Sequence, residues 1–121
     1  MGVKGLDHVY YWTADMDRAV AFYRDVMGLE LLRREGESWA LFEGGGAKFA
    51  LHGLVEGHPV SSGGATAVFE VEDLDQARRA IEGHGVQFHE RAGEVAGYAR
   101  FASFPDPDGN PVQIIEYLGS S

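Results

Sequence analysis

Two histidines stand inside strand-like runs of this chain and are its first candidates for chemistry. His8 lies in "GLDHVYYW" and His52 in "FALHGL". An imidazole can ligate a metal, exchange a proton or hydrogen-bond a ligand near neutral pH. The chain has no cysteine, which excludes disulfides, thiolate zinc sites and a cysteine nucleophile. Either both histidines are half-buried residues of a sheet, or they converge on one site.

The elements that would position them occur twice in the same order. Apolar residues spaced by three and four predict helices over 15–28 and 73–85, the first capped by Thr13 or Asp15 and the second by Asp73. Strands are predicted over 5–12, 29–35, 38–43 and 48–54, and again over 65–72, 86–91, 98–104 and 111–118. The order, strand, helix and three strands, is repeated. The sequence therefore predicts an α+β fold of two βαβββ modules.

A chain of 121 residues has room for one domain with one core. We expect a single domain, 1–121, with module one over 5–55, a linker over 56–64 and module two over 65–118. Two such modules related by a pseudo-twofold axis would form a cup-shaped mixed sheet around a cavity, with the helices outside.

The repeat and the alternation of side chains along a strand select four polar positions for the cavity side. His8 aligns with Thr66, and His52 aligns with Gln113. Burying an unpaired polar group costs about 1–3 kcal/mol. These side chains therefore need a partner, which could be an ion, water or a ligand.

Aromatic side chains are the second set of candidates for this cavity. Tyr10, Trp39, Tyr98 and Phe101 are expected to line it, because small-molecule pockets combine aromatic walls with a few polar groups. The alternative for Trp39 and Phe101 is an ordinary place in the core. Residues 93–100 read either as a loop that covers the mouth or as a plain connection.

Three segments carry a resemblance to a known family: "LDHVYYWTADMDRAVAFYRDVMGLEL", "ATAVFEVEDLDQARRAIEGHG" and "FPDPDGNPVQIIEY". The chain resembles the vicinal oxygen chelate superfamily, which groups glyoxalase, bleomycin-resistance and extradiol-dioxygenase proteins. The resemblance implies paired βαβββ modules and a homodimer. In metal-dependent members, four strand positions hold one divalent metal, and these fall on His8, His52, Thr66 and Gln113.

The ligand chemistry at these positions is weak for a metal. A threonine hydroxyl and a glutamine carbonyl bind transition metals poorly, and a carboxylate is missing. Glu70, on the predicted face of Thr66, is a weak candidate to supply it. We expect either no cofactor or one weakly held divalent ion (Fe, Mn, Ni or Zn), with His8 and His52 as its ligands.

The composition and charge of the chain limit the classes of partner that it is expected to bind. A formal charge of −9 disfavours a nucleic-acid partner, because phosphates are bound by clustered Lys and Arg. The sequence has no apolar run long enough for a membrane span and no signal peptide pattern, so the expected location is cytoplasmic. We expect small-molecule binding between the modules without a full metal site, as in the bleomycin-resistance branch. The alternative is a metal-dependent lyase, isomerase or extradiol-type dioxygenase using His8 and His52, so enzymatic activity stays open.

Overall fold

The computed structural model describes residue 4 and residues 7–54, 65–89 and 93–118. The chain divides into two compact units, Met1–Ser61 and Ser62–Ser121. The predicted linker 56–64 lies outside the described residues. No helix in the described ranges is both long and apolar enough to cross a membrane.

The first unit is a four-stranded mixed sheet with one helix. Its elements are β1 (His8–Thr13), α1 (Met16–Ala21), which continues as a π-helical stretch (Phe22–Val26), β2 (Leu31–Glu35), β3 (Trp39–Glu43) and β4 (Lys48–Gly53). The strand order is β1-β4-β3-β2. β1 and β4 run parallel, and the other neighbours run antiparallel. The predicted βαβββ order is confirmed.

The start of α1 is fixed by side chains that its sequence supplies. The Asp15 carboxylate accepts a hydrogen bond from the Arg18 amide at 3.1 Å, as expected of an aspartate N-cap. The Thr13 hydroxyl accepts the Asp15 amide at 3.1 Å. The helical stretch ends before Gly28, whose φ of 74° is the left-handed conformation that glycine adopts without strain.

The helix covers one face of the sheet. Tyr23 is fully buried, and its ring lies 4.6 Å from that of Phe49 and 6.1 Å from that of Phe42. Phe49 and Leu51 of β4 are both buried, as the alternation predicts. The opposite face of the sheet, here called the open face, carries His8, Tyr10 and the other residues whose side chains alternate with the buried ones.

The second unit repeats the plan. It contains β5 (Ala67–Glu70), α2 (Leu74–Glu82), β6 (Gly93–Val95), β7 (Ala99–Pro105) and β8 (Pro111–Tyr117), in the order β5-β8-β7-β6. As β1 and β4 do in the first unit, the edge strand β5 and its neighbour β8 run parallel. The Asp73 carboxylate accepts the Gln76 amide at 3.1 Å, so both helices begin at the predicted aspartates.

Two predictions in the second unit are wrong. Residues 86–89 are not a strand, and the sixth strand is Gly93–Val95. Phe88 is buried, with its ring 4.7 Å from that of Phe104. The His89 amide donates a hydrogen bond to the Ser103 carbonyl of β7 at 2.9 Å, so this segment packs along β7 without forming a regular strand. Residues 93–100, predicted as a loop that either covers the mouth or simply connects two strands, form a β-hairpin, in which β6 pairs with the start of β7 around a turn containing Gly97 at φ 75°.

Candidate functional site: a ring cluster on the open face of the first unit

Cross-strand rows define the open face of the first unit. One row consists of Trp12, His52 and Trp39, since His52 pairs with Trp12 of β1 on one side and with Trp39 of β3 on the other. The next row places Ala50 between Tyr10 and Leu41. Side chains directly opposite one another across strands are in contact range. The strand register thus brings the rings together.

Five rings form a continuous cluster, here called the ring cluster: His8, Tyr10, Trp12, Trp39 and His52. The His52 ring lies 4.4 Å from Trp12, 5.6 Å from Tyr10 and 5.7 Å from Trp39, between centroids. Tyr10 is 6.1 Å from Trp39 and 43% exposed. An aromatic cluster that keeps exposed area is suited to stacking with a planar ligand.

His52 is oriented by its own backbone. Its Nδ1 lies 2.8 Å from the carbonyl oxygen of Gly53, and a carbonyl can only accept a hydrogen bond. Gly53 itself is held by packing, because a Cβ there would overlap the backbone of Glu37. His52 is half-buried, and the hydrogen bond at Nδ1 orients its ring.

His8 is oriented by its neighbour. Its Nδ1 lies 2.8 Å from Oδ2 of Asp7, and its ring meets Trp39 edge-on at 5.5 Å. The hydrogen bond to His8 holds the pKa of the Asp7 carboxyl below its usual range. His8 pairs with Lys48 and not with His52 in the parallel register. The two imidazoles therefore stand in different rows and are linked through Tyr10 and Trp39.

Trp12 is a member of the cluster that the sequence reasoning missed. It makes the shortest ring contact of His52 and is half-buried. Its parity in the strand is the same as that of His8 and Tyr10. Extending the alternation by one step along β1 would have found it.

The remaining predicted residues lie on the second unit. By strand parity, Thr66, Glu70 and Gln113 belong to its open face, with Gln113 paired to Val68 and Glu70 to Ile115. Thr66 and Glu70 are exposed. Glu70 and Gln113 therefore lie within the paired strands, Thr66 immediately precedes β5, and their part in a site stays a prediction.

The two aromatic residues predicted for the site in the second unit, Phe101 and Tyr98, lie in different surroundings. Phe101 is half-buried and pairs with Gly93, where a Cβ would overlap its ring. Tyr98 lies in the hairpin turn, 58% exposed, and its ring is 5.5 Å from that of Tyr117. Phe101 therefore covers a glycine of the edge strand, while Tyr98 projects from the turn.

The register corrects one predicted equivalence. Tyr10 and Val68 stand five residues before the two helix caps, Asp15 and Asp73, and in the parallel pairs Tyr10 faces Ala50 while Val68 faces Gln113. Gln113 therefore corresponds to Ala50, and the alignment of His52 with Gln113 is wrong by two residues.

The same register gives His52 another counterpart, Ile115, which pairs with Glu70 as His52 pairs with Trp12. A shift of two residues preserves the face of every side chain. Alternation alone could not detect the error, although it assigned the faces correctly.

This correction bears on the fit of a divalent metal. The corrected equivalences match His8 with Thr66 and Ala50 with Gln113. Of these four residues, only His8 has a side chain that binds a transition metal well. Within the described ranges, no group of three or more His, Asp or Glu side chains is arranged to hold a metal ion. The residues do not fit a tightly bound catalytic metal.

The comparisons agree with this architecture. Residues 5–114 match the model of the Glyoxalase/Bleomycin resistance protein/Dioxygenase superfamily. The chain is 30% identical over 129 residues to the lactoylglutathione lyase of Haemophilus influenzae, covering 90% of each protein.

Solved structures give the same result for the fold. The chain superposes on a lactoylglutathione lyase from Agrobacterium tumefaciens with a TM-score of 0.78 and 22% identity, covering 96% of both chains. It superposes on TnmS3, an antibiotic binding protein from a Streptomyces species, with a TM-score of 0.77 and 20% identity, covering 97% of this chain and 98% of the other. The chain belongs to the Glyoxalase/Bleomycin resistance protein/Dioxygenase superfamily.

Proposed function

We propose that this protein binds a small molecule with an aromatic ring system, and that the ring cluster receives it without a full metal site. The observation that carries the proposal is the cluster itself, five rings across three adjacent strands on the face opposite the helix. Sheet stability does not require so many rings on the face that the helix leaves uncovered. Stacking with a ligand ring is the use that their geometry supports.

A positively charged ligand suits both the rings and the charge of the protein. The faces of tryptophan and tyrosine rings attract cations, and the formal charge of −9 favours the approach of a cation. The superfamily includes proteins that bind antibiotics, such as the structural neighbour TnmS3. We therefore place a cationic aromatic molecule first among the candidate ligands.

Intrinsic fluorescence tests the proposal directly. The chain has two tryptophans, and Trp12 and Trp39 both belong to the ring cluster. We expect bleomycin or ethidium to change this fluorescence saturably and raise Tm, and naphthalene-2-sulfonate to bind more weakly. Trp12→Phe and Trp39→Phe would show which indole reports the change. No saturable change with any probe, in fluorescence or in Tm, would contradict ligand binding at the cluster.

The alternative is a metal-dependent lyase, isomerase or extradiol-type dioxygenase that uses His8 and His52. One observation favours it, since both imidazoles engage Nδ1 and leave Nε2 for another partner. Elemental analysis of untagged protein separates the two functions. We expect less than about 0.2 equivalents of Fe, Mn, Ni or Zn, because two separated imidazoles hold such ions weakly. Near-stoichiometric metal that is lost in a His8→Ala, His52→Ala double mutant would favour the enzyme.

Two further properties stay predictions. The family resemblance supports a homodimer, which light scattering after gel filtration would test by comparing the measured mass with the chain mass of 13.2 kDa. A cytoplasmic location is testable by fractionation.

A further inference from the structure

The tautomers of the two imidazoles follow from their hydrogen bonds. Nδ1 of His52 faces a carbonyl oxygen at 2.8 Å, and Nδ1 of His8 faces a carboxylate oxygen of Asp7 at 2.8 Å. Because a carbonyl and an ionised carboxylate only accept, each neutral ring carries its proton on Nδ1. Each Nε2 is then a hydrogen-bond acceptor.

Both Nε2 atoms are open to a ligand. The only hydrogen bonds that the described residues offer these two rings are those at Nδ1. No buried side-chain nitrogen or oxygen among the described residues lacks a partner. Since His8 and His52 are half-buried and their Nε2 atoms have no protein partner, those atoms must reach the accessible surface.

The rings of Trp39 and Tyr10 each lie next to both imidazoles, His8 and His52. Trp39 meets His8 at 5.5 Å and 89°, and meets His52 at 5.7 Å and 90°. Tyr10 is 6.0 Å from His8 and 5.6 Å from His52. The imidazoles occupy different rows of the sheet, so the two acceptors belong to separate places on one aromatic surface.

We infer that His8 and His52 select, through Nε2, an aromatic ligand with hydrogen-bond donors at two separated positions of its ring system. Phenolic hydroxyls, or the N–H groups of an amine or heterocycle, provide such donors. The inference rests on the proposed function and adds the ligand's polar pattern to it. A methyl ether, or an unprotonated N,N-dialkyl aryl amine, at the same positions offers no donor and leaves both acceptors unpaired, which is the basis of discrimination in a hydrogen-bonding site.

Matched pairs of probes separate the effect of the ligand's hydrogen-bond donors from that of its aromatic rings. The dihydroxynaphthalenes (1,5-, 2,6- and 2,7-isomers) and their dimethyl ethers share the ring system and differ in the O–H donors. At pH 8, we expect at least one diol to bind at least tenfold more tightly than its ether, by fluorescence titration. His52→Phe should lower that ratio, because only His8 then accepts, and the His8→Phe, His52→Phe double variant should bring it close to one while ring stacking persists. His52→Gln should retain part of it, because the amide oxygen still accepts.

Asp7 supplies a separate test as a positioning residue. In Asp7→Leu the His8 ring loses its acceptor at Nδ1, so both tautomers should become populated, and ¹⁵N chemical shifts of the ring would report the change directly. The preference for the diol should fall at least threefold. The matched control is His84→Phe, at an exposed histidine after α2, which should leave the ratio unchanged.

The outcomes separate this inference from the proposed function. Equal binding of diols and ethers, with both lost in Trp39→Leu, would overturn the donor selection and leave aromatic binding standing. A diol preference that survives undiminished in the His8→Phe, His52→Phe double variant would also overturn it. Failure of every ring probe, including bleomycin and ethidium, would remove the proposed function itself.

Discussion

The two open faces are built on one plan and present different chemistry. In the first unit, the row across the parallel pair joins Trp12 and His52, and the equivalent row of the second unit joins Glu70 and Ile115. Tyr10 corresponds to Val68, which is 49% exposed. The rings of Tyr10, Trp12 and His52 thus stand where aliphatic and acidic side chains stand in the second unit.

The helix-covered faces differ much less. Asp15 and Asp73 cap the two helices in the same way. Asp17 and Asp75, in the first turn of each helix, pair with arginines of their own sheets at 2.7 and 2.9 Å. The repeated plan therefore resides in the helix-covered side, and the difference between the units resides in the open faces. A residue that differs between the units on the open face is the better candidate for function.

The largest expected effect is the difference in stability lost between a core residue, Tyr23, and a residue of the ring cluster, Tyr10. Tyr23→Ala removes a fully buried ring between Phe42 and Phe49, and we expect the free energy of unfolding to fall by about 3–5 kcal/mol. Tyr10→Ala, on the open face, should cost only about 1 kcal/mol. Urea unfolding measures both. A larger loss for Tyr10→Ala than for Tyr23→Ala would mean that the open face is part of the core.

The next prediction compares the aromatic residues that the strand register makes equivalent. Trp39 pairs with His52 as Phe101 pairs with Ile115. Trp39→Leu should weaken the binding of a cationic aromatic probe on the order of tenfold, because it removes a stacking partner worth about 0.5–1.5 kcal/mol. Phe101→Leu should change affinity less than about threefold. Fluorescence from Trp12 follows binding in both variants, and the reverse order of effects would move the site to the second unit.

The fold was largely accessible from the sequence because its signals are local. Aspartate caps, apolar spacing and glycine-containing turns predicted both helices and seven of the eight strands, including β1, β5 and β8. The exception lies around Phe88, where burial against Phe104 imitates a strand pattern. Local patterns report that a side chain is buried, and do not distinguish a paired strand from a packed segment.

The site was accessible only in part, because register is not a local property. Alternation placed His8, His52 and Gln113 on the open faces. The equivalence of Gln113 with Ala50 required the pairing of β1 with β4 and of β5 with β8. The hydrogen bonds that set the imidazole tautomers depend on side-chain orientation, which period-two patterns do not encode.

A smaller effect tests the feature that the units share. Asp15→Ala and Asp73→Ala each remove an N-cap that accepts a backbone amide at 3.1 Å. Each should lower the free energy of unfolding by about 1 kcal/mol, with a nearly equal loss in the two units. Chemical denaturation measures both variants, and Asp15→Ser and Asp73→Ser, which keep a capping oxygen, are the controls. A loss in only one unit would break the equivalence of the helix starts.

The smallest expected effect concerns the ion pair between α2 and its sheet. Arg100 hydrogen-bonds Asp75 at 2.9 Å and holds the pKa of its carboxyl below the ordinary value. Because the folded pKa is depressed, the stabilisation is present above the unfolded pKa of about 3.9 and is lost as pH falls through the folded value.

We therefore expect Asp75→Asn to have a slightly lower Tm than the parent at pH 7, with the gap closing below about pH 4. Both side chains are partly exposed, so about 0.5 M NaCl should also narrow the gap by screening. Thermal unfolding between pH 3 and 7 at two salt concentrations makes the comparison. Glu72→Gln, at an exposed carboxylate just before the cap, is the matched control. A gap that is independent of pH and salt would mean that Arg100 supports the helix through packing and not through charge.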